Sequence, residues 1–202
     1  MLRHVRDGEN SAFDGAPAFL PPSAERAAAE TLIERLYARC YGARLSAHYP
    51  NLISVHASDG SALAAAGVRD ASDGGLFLES YLTEPVEAAL ARLGAGDVPR
   101  HAIVEIGNLA SRSRPASIRL FHRVAEHLEH MEYRYAVVTA TRGLRGLIRD
   151  LGLATFEIAP ALPERLPDRG RSWGRYYDAE PVVIAGQIAC NAAQIAALFA
   201  QP

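Results

Sequence analysis

Residues 102–131, AIVEIGNLASRSRPASIRLFHRVAEHLEHM, predict a strand, a polar turn and an amphipathic helix in succession. Residues 102–110 have the length and the β-branched content of a strand. Residues 111–115 form a turn, and we expect the helix to begin at about Ala116. The first amides of a helix have no partners within the helix, so this turn can receive an anion or a polar cofactor arm.

Two polar residues, Glu105 and Asn108, interrupt the otherwise apolar strand. Because side chains alternate along a strand, one face is predicted to carry Glu105 and the other Asn108. A carboxylate buried in this way needs a partner or a chemical function. The predicted faces are Ile103, Glu105, Gly107 and Leu109 on one side, and Val104, Ile106, Asn108 and Ala110 on the other.

Composition limits the class of protein. The chain has 202 residues, of which 49% are hydrophobic and 22% are charged, which is enough for one large domain with a core. A net charge of -2 provides no general field that would attract nucleic acid. No segment approaches eighteen uninterrupted apolar residues, so we expect no membrane span.

We expect an irregular N-terminal arm at residues 1–22 and a single α/β domain at residues 23–202. The arm has charges throughout and lacks the continuous apolar core of a secretory signal. Cys40 and Cys190 have neither metal-type nor redox-type spacing, which fits a reduced, cytoplasmic protein. A single disulfide stays open as an alternative.

The remaining elements are predicted from periodicity and turn residues. Before the central strand we expect a helix capped by Ser23 and ending near Tyr41, a hairpin of residues 52–57 and 62–68, an extended segment at 76–82, and a helix after Thr83 and Pro85. After it we expect a strand at 135–140, a helix capped by Thr141, strands at 154–158 and 182–185, and a closing helix at 188–199. This order predicts an α/β fold with a mixed, mainly antiparallel sheet and helices on both faces, with late parallel crossovers.

The order, with VEIGNLAS (104–111) as central strand, resembles the GNAT superfamily of N-acyltransferases. The chain is also similar to acyl-homoserine-lactone synthases, through Glu105 and through VTAT (138–141) ahead of a helix that ends at Gly152. A more specific resemblance is to the thermostable hemolysin family, carried by LFLESYLTEPVE (76–87), IVEIGNLAS (103–111) and WGRYY (173–177), and it covers roughly residues 25–190.

The resemblance implies a GNAT-like fold and acyl transfer to the amine of an amino-acid-like small molecule. The donor would be a thioester of acyl carrier protein phosphopantetheine or of CoA, with direct attack in a ternary complex and no tightly bound cofactor. Two alternatives are a membrane-active haemolytic protein, which the family name suggests, and a signal synthase that uses S-adenosylmethionine. A third is a catalytically inactive module that binds acyl thioesters. The short, Ala-rich helices suit packing on a sheet and favour the enzyme.

Acyl transfer to an amine needs a base, and Glu105 and Glu79 are the candidates. Desolvation on an apolar strand would raise the pKa of either carboxyl. The alternative is a buried glutamate paired with an arginine. Arg69 and Asp70, at the end of a strand, are candidates for binding the acceptor's carboxylate and ammonium, although such a pair can also be a solvated turn.

The candidate acyl-donor site is the second half of the central strand. Gly107 and Asn108 would permit a bulge that exposes backbone groups to a pantetheine arm, unless the glycine only fills a tight packing position. The turn at 111–116 has no glycine, unlike many acetyl-CoA enzymes of the superfamily, which is compatible with a carrier-protein donor. The donor-binding set is Gly107, Asn108, Leu109, Ala110, Ser111 and, by resemblance, Thr139.

Three further patterns complete the candidates. Trp173 and Tyr177, on the Pro- and Arg-rich loop at 159–181, could cover the substrate or simply pin the loop to the body. Arginines at 142, 145 and 149 and near the central helix could meet an acidic acyl carrier protein, or form a solvated face. His122, His127 and His130 do not have a recognised ligand spacing, and no metal is expected.

Overall fold

The structure is a computed structural model that describes residues 23–45 and 47–199. The predicted N-terminal arm, residues 1–22, lies outside the described residues. The described strands form a six-stranded sheet in the order β1-β2-β3-β4-β6-β5. The strands are β1 (Asn51–His56), β2 (Ala62–Asp70), β3 (Ile103–Ser111), β4 (Tyr135–Ala140), β5 (Phe156–Pro160) and β6 (Val182–Gln187).

The mixed, mainly antiparallel sheet predicted from the sequence is confirmed. Among the described strands only β3 and β4 are parallel neighbours, and the other four pairs are antiparallel. The predicted late parallel crossovers are also present, because β3 and β4 are parallel and β4 and β5 are both antiparallel to β6. The long connection at 161–181 brings β6 back between β4 and β5, so those two strands are not neighbours.

Helices cover both faces of the sheet. They are α1 (Ala24–Tyr41), α2 (Val86–Leu90), α3 (Arg114–His130), α4 (Arg142–Asp150) and α5 (Ile188–Phe199). Helix α1 packs against Leu52, Ala65 and Ala110, whereas α3 packs on the opposite side of the same strands, against Ile53 and Ala64. Helix α3 begins two residues earlier than predicted, because Ser113 caps it and Pro115 occupies its first turn.

A β-bulge interrupts β3 at the predicted position. Gly107 pairs with Gly67 and Ala110 with Ala65, so two β3 residues, Asn108 and Leu109, stand opposite one β2 residue. Asn108 has a φ of 50°, in the left-handed region.

The bulge reverses the side-chain alternation of β3 beyond Gly107. Leu109 packs on the α3 side together with Ile106, and Ala110 packs on the α1 side. The predicted assignment of Leu109 and Ala110 to faces was therefore wrong. The pairing of β3 with β4 ends at Ile106 and Val138, although both strands continue, so they diverge beyond that point.

Residues 76–82 were expected to be extended, and instead Phe77–Tyr81 is a 3₁₀ helix. Glu79 explains the turn, because its carboxylate accepts hydrogen bonds from the amides of Leu76 (2.8 Å) and Val86 (3.0 Å). The Arg100 guanidinium binds the same carboxylate through both of its terminal nitrogens, at 2.7 and 3.0 Å, and also contacts Glu87 at 2.7 Å. This network ties the turn to the start of α2.

The network keeps Glu79 ionised. Burial opposes ionisation, but the Arg100 guanidinium and the two amides outweigh it and lower the pKa of Glu79 from 4.5 to about 2. Because the folded pKa lies below the ordinary value, the stabilisation is fully present above pH 4.5 and is lost as the pH falls through about 2.

Glu79→Gln should therefore lower the free energy of unfolding at pH 7 by about 1–2 kcal/mol, after allowance for solvent screening of a partly exposed pair. The difference from the wild type should shrink between pH 4.5 and pH 2. Urea denaturation followed by circular dichroism measures both. Glu84→Gln, which removes the exposed pair with Arg92, is the matched control and should cost less than about 0.5 kcal/mol. Equal losses in the two variants would contradict the expectation.

Candidate active site

A cleft of about 770 Å³ opens where β3 and β4 diverge. Its walls come from the end of α1, the segment before β1, the ends of β3 and β4, the start of α4 and the loop around Trp173. The predicted site residues that line it are Arg69, Glu105, Gly107, Asn108, Leu109, Ser111, Thr139 and Trp173.

Four predicted site residues lie outside the lining of this cleft. Glu79 is held by Arg100, as the arginine-paired alternative anticipated. The Asp70 carboxylate accepts hydrogen bonds from the Ser72 amide (2.7 Å) and the Tyr133 phenol (2.8 Å). Ala110 is buried in the packing with α1. Tyr177 contacts the cleft indirectly, because its phenol oxygen lies 2.7 Å from that of Tyr81, a lining residue.

Glu105 is a buried carboxylate at the centre of the sheet, with 1% of its surface exposed. Its two oxygens accept hydrogen bonds from the amides of Phe77 and Leu78, each at 2.9 Å. These partners are backbone amides rather than a guanidinium, so the arginine-paired alternative does not describe Glu105. Each carboxylate oxygen keeps a further acceptor position.

The environment of Glu105 has opposing effects on its pKa. Burial is the largest effect and raises the pKa above 4.5, whereas the two amides, the Tyr49 phenol and Arg69 oppose that rise. Arg69 is the direct cross-strand partner of Glu105. The result is a carboxyl group better suited to accepting a proton near neutral pH than an exposed glutamate is.

Sequence reasoning missed Tyr49, which lines the cleft beside Glu105. Its ring lies on two glycines, Gly67 and Gly107, which pair directly across β2 and β3. The only signal in the sequence was these two glycines, and it becomes visible only when the strand register is known. Two other lining residues, Tyr37 and Tyr41, were not predicted as site residues, and the sequence only placed Tyr41 at the end of the first helix.

Two buried polar groups at the point of divergence have no hydrogen-bond partner within the described chain. They are Nδ2 of Asn108 and Oγ1 of Thr139, one on each of the diverging strands. Buried polar groups are normally satisfied, so these two are positioned for a bound molecule. The N-terminal end of α4 also borders the cleft, at Thr141 and Gly143, and its partial positive charge favours an anionic group there.

Aromatic side chains form the opposite wall. The Trp173 ring centroid lies 5.4 Å from that of Phe77 and 6.2 Å from that of Tyr37. The Trp173 loop is also fixed to the end of α1, because the Arg175 amide donates to the Tyr41 carbonyl at 2.7 Å. Trp173 thus lines the cleft and pins its loop, and its covering of a substrate stays a prediction.

The described residues contain no cluster of three or more His, Cys, Asp or Glu side chains suited to a metal ion. Over the same residues, none of the helices combines the length and the apolar character needed to cross a membrane.

A bulged strand that diverges from a parallel neighbour, with a helix starting on either side of the opening, defines a GNAT-like fold. Solved structures share it. FeeM, an N-acyl amino acid synthase from uncultured soil microbes, matches with a TM-score of 0.60 at 15% identity, over 86% of this chain and 96% of its own. BjaI, a CoA-dependent acyl-homoserine lactone synthase solved with SAM and isopentyl-CoA, matches at 0.58 and 9%, over 89% and 84%. The AHL synthase LasI matches at 0.53 and 13%, over 83% and 85%.

The thermostable hemolysin family model matches residues 20–192, and the chain belongs to that family. This confirms the resemblance carried by the three segments that begin at Leu76, Ile103 and Trp173. No protein with a curated description matches the chain.

The two glutamates first considered as bases should titrate on opposite sides of the ordinary value. Carboxyl ¹³C NMR should give a midpoint near 2 for Glu79 and above 4.5 for Glu105, because Arg100 stabilises the first charge and burial opposes the second. Glu79→Gln and Glu105→Gln assign the two signals by removing them. A Glu105 midpoint below 4.5 would show that the amides outweigh burial.

Proposed function

We propose that the protein is an N-acyltransferase that moves an acyl group from a pantetheine thioester to the amine of an amino-acid-like small molecule. One observation carries the proposal. The buried Glu105 carboxylate lines a cleft that also presents two unpartnered polar groups, on Asn108 and Thr139, between diverging strands.

The pantetheine arm lies in the opening between β3 and β4. Beyond Ile106 and Val138 these strands no longer pair with each other, so backbone groups there can bond the amides of the arm. The Thr139 carbonyl, which accepts from the Tyr176 phenol at 3.3 Å, has one acceptor position left. Asn108 and Thr139 add one polar side chain from each strand. The start of α4 favours the phosphate of the arm.

Glu105 accepts the proton of the attacking amine, directly or through one water. The amine nitrogen forms a bond with the thioester carbon, the carbon–sulfur bond breaks, and the thiolate leaves with the bonding electrons and is then protonated. The products are an amide and a free thiol. Both reactants are bound at once, so no acyl-enzyme is needed.

Arg69 binds the carboxylate of the acceptor. Within the described residues it forms no ion pair, and its one hydrogen bond is a 3.3 Å contact with the Gly75 carbonyl. A guanidinium without an ion-pair partner can bind a carboxylate through two parallel hydrogen bonds. The aromatic wall of Phe77, Tyr81 and Trp173 then packs against the rest of the acceptor.

The donor is either acyl carrier protein or acyl-CoA. The arginines that could meet a carrier protein are only partly engaged: Arg114 pairs with Asp150 at 3.1 Å and Arg142 with Glu180 at 3.6 Å, while Arg112 and Arg149 are exposed. BjaI is CoA-dependent, which supports acyl-CoA as the alternative donor. A cytoplasmic location, where both donors occur, remains part of the proposal.

A second, apolar cavity of about 110 Å³ adjoins the cleft on the α3 side of the sheet. Four apolar residues line both spaces: Ile106, Leu109, Val138 and Leu144. The cavity would hold about four methylene groups, if each occupies roughly the ~30 Å³ share of a water molecule. An acyl chain that enters between the strands can therefore extend beneath α5, which favours medium-length chains over acetyl.

Incubation with a panel of acyl thioesters and amino acids, followed by free-thiol release and mass spectrometry, tests the activity. Glu105→Gln should reduce kcat/KM by about 10²–10⁴, the usual contribution of a general base, with little change in donor affinity. Glu157→Gln, on the exposed side of β5, is the control and should retain full activity.

Three outcomes would replace the proposal. Consumption of S-adenosylmethionine would identify a signal synthase. Leakage of dye from pure lipid vesicles, equal for the wild type and Glu105→Gln and without thiol release, would identify a membrane-active protein. Binding of donor without turnover would leave an inactive thioester-binding module.

Chain-length preference tests the apolar cavity separately. Ala125→Leu adds side-chain volume to the cavity lining and should lower kcat/KM for octanoyl relative to butanoyl donors by on the order of 10²-fold, since each buried methylene contributes about 0.8 kcal/mol. Ala189→Leu, on the exposed side of α5, should leave the ratio unchanged. An unchanged ratio in Ala125→Leu would place the acyl chain elsewhere.

A further inference from the structure

We infer that Tyr49 is a positioning residue whose phenol donates a hydrogen bond to Glu105 and holds that carboxylate in its proton-accepting form. The inference rests on the proposed function for its consequence in catalysis, but its structural part can be measured without any turnover. Nothing in the sequence pattern marks Tyr49, and its role follows from three sets of contacts.

The first is the glycine pair beneath the ring. Gly67 and Gly107 face each other across β2 and β3, two positions along the strands from the pair formed by Arg69 and Glu105. A Cβ atom on Gly67 would come to 2.5 Å from Tyr49 side-chain carbons, and one on Gly107 would clash with the Tyr49 phenol oxygen. Any larger residue at either position would displace the ring, so the two glycines create the space that brings the phenol to Glu105.

The second set fixes the backbone of Tyr49. The Arg26 guanidinium donates to the carbonyls of Tyr49 (3.1 Å) and Pro50 (2.9 Å). Arg26 is itself oriented by Glu30, one helical turn later, at 3.0 Å. The segment that carries Tyr49 is thus anchored to α1. The backbone contacts and the packing on the two glycines together fix the position of the ring.

The third set is the charge environment of the phenol. The Arg69 guanidinium carbon lies 5.5 Å from the ring centroid, within the range of a cation–π contact. The phenol lines the same cleft as the Glu105 carboxylate, and its effect on that carboxyl group lowers the pKa and favours the ionised form. Burial, and then Glu105 itself, raise the pKa of Tyr49 well above 10, so the phenol stays protonated and remains a donor.

Each group that faces Glu105 either favours or disfavours the ionised form of its carboxylate. The amides of Phe77 and Leu78, the Tyr49 phenol and the Arg69 charge favour the ionised form, and burial disfavours it. Tyr81 also stands near this carboxylate, and Glu105 contributes to a raised pKa of that phenol. Among the groups that favour the ionised form, the Tyr49 phenol can lose its hydroxyl group by substitution with Phe while its ring stays in place.

A purely structural role would require only the ring. Tyr49→Phe keeps the packing on the two glycines and removes the donor, so it separates the two roles. Loss of a hydrogen bond to a charged group should raise the Glu105 midpoint by about one pH unit, measured by carboxyl ¹³C NMR. The acidic limb of the pH profile of kcat/KM for acyl transfer should move to higher pH by the same amount.

Tyr133→Phe is the matched control, because its phenol binds Asp70 outside the cleft. It should leave the Glu105 midpoint and the pH profile unchanged. Gly107→Ala, with Tyr49 intact, should raise the midpoint in the same direction as Tyr49→Phe by displacing the phenol.

The outcomes are separable. Equal Glu105 midpoints in the wild type and Tyr49→Phe, with both folded, would overturn the inference. So would loss of turnover in Tyr49→Phe without movement of the pH profile. A shifted midpoint in a protein that releases no thiol from any donor would uphold the positioning role and refute the proposed acyl transfer.

Discussion

The buried carboxylate of Glu105 is the constraint on which the rest of the site depends. A charge at this depth is costly unless hydrogen bonds satisfy it, and the amides of Phe77 and Leu78 supply two. Those amides are free only because residues 77–81 turn instead of pairing as a strand. The Glu79–Arg100 network stabilises that turn, so the structural role of Glu79 supports the hydrogen bonds that Glu105 accepts.

The bulge at Asn108 is the second determinant. It changes which side chains face α1 and α3, and it coincides with the end of pairing between β3 and β4. A regular strand would have continued the ladder and closed the opening. The departure from ideal geometry thus creates the cleft, and the orphaned groups on Asn108 and Thr139 lie at its edge.

Much of this architecture could be predicted from the sequence. Caps at Ser23 and Thr141 and the apolar runs of the strands are local signals, and the corresponding elements were confirmed. The 3₁₀ turn at 77–81 was missed, because its stabilising partners, Arg100 and Glu105, are distant in sequence. Tyr49 was missed for the same reason, since its position depends on the register of β2 and β3. Glu105 and Asn108 could be found because polar residues in an apolar strand are visible without the fold.

The cleft also limits the hydrogen bonding that joins the two halves of the sheet. Hydrogen bonding between the half formed by β1–β3 and the half formed by β4–β6 runs through four residue pairs, from Ile103 with Tyr135 to Ile106 with Val138. Among the described strands, these four pairs are the only strand pairing that joins the two halves. A molecule hydrogen-bonded to both diverging strands would add to the hydrogen bonding between the two halves. Occupancy of the cleft and the rigidity of the whole sheet would therefore rise together.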